Sequence, residues 1–161
     1  MKLRDELMPP ALDEQKVQRL TELASSIDCG DPEQMASQVD AFNLEASTSL
    51  EFYEFQGIYG GQGHETWVRT LLGNRYVCSV PDVTRPELVE LARRVMECDG
   101  EEHAINFWME MLSINTSNER MCELIFWPNV YFGDEGLSRE LTPDQVVEIA
   151  LSTGAVGGCG A

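Results

Sequence analysis

The chain has 161 residues, enough for one domain with a full core or a small domain with a helical extension, and its 43% hydrophobic content fits a folded globular protein. Its 28 acidic residues outnumber 11 basic ones, giving a formal net charge of −17 that repels phosphate backbones and anionic lipid and attracts basic protein surfaces. Direct binding of nucleic acid or of a membrane is disfavoured, although acidity alone also keeps a protein soluble without any partner.

Met1 to Pro10 is short and charged, without the apolar core of a signal peptide, and nowhere do about 18 apolar residues run together. A soluble cytoplasmic chain is expected. The cysteines (Cys29, Cys78, Cys98, Cys122, Cys159) are odd in number and form no C-x-x-C element, which fits reduced thiols rather than a disulfide framework or a metal site.

Asp13 to Ile27 spaces Val17, Leu20, Leu23, Ala24 and Ile27 by threes and fours, one stripe along a helix. Asp31-Pro32, a cap followed by an N1 proline, predicts a second helix through Met35, Val39 and Phe42. Ser49 to Tyr59 is aromatic-rich and read as helical. The glycines at 57, 60, 61 and 63 interrupt it with a tight turn, and His64 to Leu72 resumes the pattern until Gly73-Asn74. Arg75 to Val83 reads as an extended connector, and the domain boundary is drawn there.

Thr84-Arg85-Pro86-Glu87 is a capping box, opening a helix through Leu88, Leu91, Ala92 and Val95. In the next helix, Glu101 to Leu112, a wheel puts Ala104, Ile105, Phe107, Trp108, Met109, Met111 and Leu112 on one wide face and Glu102, His103, Asn106 and Glu110 on the other. After a polar loop at Asn115 to Glu119, Met121 to Trp127 is an apolar burst closed by Pro128, short enough for either a strand or a helical turn or two. Asn129 to Glu140 reads as a loop. Thr142-Pro143 caps a last helix whose buried face is Val146, Val147, Ile149, Ala150 and Leu151, and the Gly-rich tail from Gly154 is expected to be flexible.

Sites of chemistry are sparse. His64, next to Glu65 at a helix start, suits a surface or capping role better than catalysis, and His103 lies on a polar helix face. The Gly57 to Gly63 stretch lacks the Lys-Ser/Thr of a phosphate loop, and the acidic runs lack calcium-loop spacing. No cofactor or metal is expected, and the chain is expected not to be an enzyme; His64 with Glu65 is the enzymatic alternative.

The helices at 87–99 and 101–112, the stretch Glu123-Leu124-Ile125-Phe126-Trp127-Pro128 and the Thr142-Pro143 helix resemble, in order, the immunity proteins of nuclease colicins and pyocins. The resemblance covers somewhat under half the chain. It implies an all-α fold, a four-helix bundle over 84–153, with a short third helix bearing an Asp-Leu-Ile-Tyr-Tyr-Pro signature that docks on the nuclease. Here Glu123 stands for the Asp, and Phe126 and Trp127 for the two tyrosines.

Counting back from the signature assigns Glu102, Ile105, Asn106, Met109 and Glu110 to the selective contacts of the second helix. The resemblance thus implies a partner-binding set of those five with Glu123, Phe126 and Trp127. Core packing is the other reading of Ile105, Phe126 and Trp127. The expected partner is the basic nuclease domain of a bacteriocin or related toxin, which the acidic chain would meet by electrostatic steering. The alternative is a helical adaptor or regulatory protein-binding module without toxin specificity. Residues 1–83 are expected to form an N-terminal helical extension. Acidity does not pick the interface, since residues 84–161 carry 14 acidic and 5 basic side chains and residues 1–83 carry 14 and 6.

Overall fold

Local capping chemistry sets where the helices begin. In a computed structural model, which describes residues 1–135 and 140–154, every regular element among the described residues is helical. The tail beyond Gly154 and residues 136–139 lie outside the described residues. The chain divides into two units, one comprising Pro10–Arg75 and the other Met1–Pro9 with Tyr76 onward. This differs from the boundary drawn at Val83, because the opening nine residues and the stretch from Tyr76 pack with the C-terminal helices.

The unit of Pro10–Arg75 contains α1 (Glu14–Asp28), α2 (Pro32–Ala46), α3 (Ile58–Gly61) and α4 (His64–Gly73). Asp13 caps α1 by accepting the Gln15 and Lys16 N–H groups, and Asp31 caps α2 by accepting that of Glu33. The stripe predicted for α1 is the buried one: Val17, Leu20, Ala24 and Ile27 pack where α1 meets α2 and α4. Phe42 and Phe55 meet edge to face at 4.9 Å, with the Trp67 ring 5.7 and 5.4 Å away, so aromatic area supplies much of this small core. The predicted helix over 49–59 is instead a 3-10 turn at Phe52–Phe55 followed by α3, because Gly57 adopts a left-handed conformation (φ 79°) between them.

The second unit contains α5 (Arg85–Met96), α6 (Glu102–Thr116), α7 (Met121–Phe126), α8 (Pro128–Phe132) and α9 (Pro143–Gly154). The capping box opens α5, with the Glu87 carboxylate 2.8 Å from the Thr84 N–H. Thr142 caps α9, accepting from the Gln145 N–H. α5 packs on α6 and α9, and its Leu88, Leu91, Ala92 and Val95 join Phe107, Trp108, Met111, Leu112, Val146 and Val147 in one core. The opening residues belong to this core too. Leu3 and Leu7 are buried in it, the Trp108 indole N–H donates to the Leu7 carbonyl at 3.2 Å, and Arg4 pairs with Asp82 and Glu87.

One alternative left open by the sequence is decided here and one reading is corrected. The burst at 121–126 is a helix, and part of the expected loop over 129–140 is helix α8, whose start Pro128 supplies at N1. Residues 75–83 continue a 3-10 turn at Asn74–Tyr76 and then run as irregular chain.

Candidate protein-interaction surface

α7 is too short to bury all its apolar side chains. With six residues it has one inward stripe, taken by Met121, Leu124 and Ile125, so Phe126 and the following Trp127 point away from the core. They are 44% and 54% exposed, and their rings meet edge to face at 5.9 Å. Core packing, the competing reading of these two residues, is therefore set aside. α8 extends the apolar area with Val130 and Phe132, 55% and 46% exposed. These two were hidden from sequence reasoning by Gly133 and Gly136, which suggested a loop; the signal that could have revealed them was Pro128 as a helix start.

A buried polar hub holds this surface in place. Asn118, 6% exposed, donates to the Tyr131 hydroxyl at 3.0 Å and the Thr153 hydroxyl at 3.2 Å, and accepts the Arg120 N–H at 2.9 Å. Arg120 then bridges the two short helices. Its guanidinium lies 2.9 Å from Glu123, donates to the Val130 carbonyl at 3.3 Å, and sits 4.8 Å above the Tyr131 ring. Glu123 is thus half-buried and already engaged by an internal cation.

The remaining candidates lie on α6, against which α7 packs. Glu102 and Glu110 are exposed, as the wheel predicts, and Asn106 is half-buried. Ile105 and Met109 are half-buried and pack against the core, which leaves each only part of its surface for a partner. His103 is less exposed than expected and approaches Glu101 at 3.4 Å.

His64 is not a free surface residue. Its Nε2 lies 2.8 Å from Asp28, whose carboxylate also accepts the Gly57 N–H at 2.9 Å and the Tyr59 N–H at 3.2 Å. Burial pushes the Asp28 carboxyl upward, but the hydrogen bonds from His64, Tyr59 and Gly57 outweigh it and hold the group below its ordinary range. Glu65, its neighbour in sequence, turns instead to Arg69. This cluster ties the glycine segment to the end of α1.

Among the described residues no group of three or more His, Cys, Asp or Glu side chains is placed to hold a metal ion, and no helix is long and apolar enough to cross a membrane. The fold and this surface define an all-helical acidic protein with an exposed aromatic face. Comparison with family models, curated proteins and solved structures finds no match.

Proposed function

We propose that the chain is a bacteriocin-immunity-like protein that binds and inhibits a basic nuclease toxin in the cytoplasm. The observation that carries this reading is the exposure of Phe126 and Trp127 side by side at the end of a short, braced helix. Rigid aromatic groups that bury large area on docking are the usual anchors of protein interfaces, and an acidic surround speeds encounter with a cationic partner. The succession of two long helices, the short α7 and α9 supports the same reading, with α8 an addition to the four helices the resemblance implies.

Inhibition requires no chemistry from the protein. A nuclease must offer a positive surface to its phosphate substrate, and an acidic protein docked on or beside that surface denies access. Phe126 lacks the hydroxyl of the tyrosine it replaces, so its contact is apolar, whereas Trp127 adds a larger ring with one N–H donor.

The test is co-expression with a nuclease toxin encoded beside this gene: survival is expected with the intact protein, and cell death at the rate seen without it would overturn the reading. Trp127→Ala should weaken nuclease binding by about 2 kcal/mol, read by calorimetry, while the helical signal stays unchanged. Binding to other proteins without protection from a nuclease would favour the adaptor reading.

A further inference from the structure

A groove of about 420 Å³ lies at the C-terminal half of α6, walled by Val77, Glu110, Ser113, Ile114, Ser117 and Glu119. Its chemistry is both apolar and anionic. Ile114 is 43% exposed there, an apolar side chain left in water at the groove wall. Glu110 and Glu119 are exposed and make no hydrogen bond or ion pair with any described residue. α6 ends at Thr116, with Ser117 in a left-handed cap, so the negative end of a 15-residue helix adds to the field of the two carboxylates.

No described arginine of this unit pairs with either carboxylate. α6 carries no Lys or Arg, and the next cation along the chain, Arg120, is held by Glu123 and Val130. The other described arginines of the unit are engaged as well: Arg4 by Asp82 and Glu87, Arg85 by Asp144, and Arg93 and Arg94 by Glu90. The groove is therefore complementary in charge to a cation.

Between the two common cations, the walls favour a guanidinium. It is less strongly hydrated than an ammonium, its planar faces and stem lie well against aliphatic groups such as Val77 and Ile114, and its paired N–H donors match the two oxygens of a carboxylate. We infer that this groove is a docking subsite for an arginine side chain presented by a basic protein partner. The inference rests on the reading of this unit as a binder of basic protein surfaces, and it gives Glu110 a defined role while adding Val77, Ile114 and Glu119 to the interface.

The test needs no nuclease. The isotope-labelled full chain is titrated with N-acetyl-arginine methylamide and, separately, with its citrulline and lysine counterparts, following backbone amide shifts. Saturable shifts centred on Val77, Glu110, Ile114 and Glu119 are expected with the arginine probe, with binding roughly tenfold weaker for citrulline, which lacks the charge.

The double variant E110Q/E119Q should lose the response, whereas D5N/E6Q, which removes the same charge elsewhere on this unit, should keep it. Unsaturable shifts spread over all acidic positions, equal loss in both double variants, or equal binding of the lysine probe would overturn the inference. Arginine binding in the groove by a protein that fails to protect against a nuclease would overturn the inhibitor reading alone. Protection without groove shifts would overturn the subsite alone.

Discussion

Glu90 is a charged side chain at only 6% exposure, and its position in α5 fits the helical stripe of no core. It is accommodated because Arg93 and Arg94 reach it from the next turn, each with N–H groups about 3.0 Å from its Oε1. The hydrogen bonds from Arg93 outweigh the cost of burial and hold its carboxyl at about 2, against 4.5 for a free glutamate. The unfolded chain therefore binds more protons than the native one between those two values. Glu90 contributes its full stabilisation above about pH 4.5, and that contribution is lost as pH falls through about 2. Glu90→Gln should lower unfolding free energy by about 2 kcal/mol at pH 7, because two guanidinium groups lose their anion. In urea titrations at descending pH the gap between wild type and variant should close below about pH 4, since only the wild type carries this titrating group. A constant gap down to about pH 2 would show that Glu90 is not held ionised by its neighbours.

At the scale of elements, the segment between α1 and α4 turns on one glycine. Gly57 sits at φ 79°, where a side chain is strained, whereas Gly60, inside α3, has ordinary helical backbone and open space where a Cβ would go. Gly57→Ala should cost about 1 kcal/mol and Gly60→Ala should be neutral or stabilise by about 0.5 kcal/mol, measured by thermal unfolding. Equal effects would mean that the hydrogen bonds from this segment to Asp28 do not fix its backbone. Elements with local signals of this kind were legible in the sequence: Asp31, Thr84 and Thr142 each cap the helix expected after them. Elements defined by distant partners were not. α8 has five residues and a glycine at its end, too little for periodicity to register, and what braces it is Arg120 and Asn118 from before α7. Of the candidate surface, the exposed arc of α6 was legible from its wheel. The outward direction of Phe126 and Trp127 was not, because six residues cannot reveal which side faces a core that other helices build.

At the scale of the whole molecule, the chain leaves the unit that holds α5 to α9 after Pro9, builds the other between Pro10 and Arg75, and returns at Tyr76. Sequence patterning could not reveal this. Leu3 and Leu7 lie in a charged opening with a single 3-10 turn and no stripe, and what assigns them is burial against residues such as Trp108, a hundred positions away. The arrangement makes the first residues part of the stability of the last ones, and each unit has its own core. Leu7 and Phe42 are both fully buried, one in each core. Truncating either to alanine should cost about 3 kcal/mol or more, because the surroundings only partly fill the space left behind. Amide hydrogen exchange distinguishes the two losses. Leu7→Ala should speed exchange in α5, α6 and α9 and leave α1 and α2 protected, and Phe42→Ala should do the reverse. If Leu7→Ala instead loosened α1 and α2, the opening residues would belong with the segment they adjoin in sequence, and the two cores would not be independent.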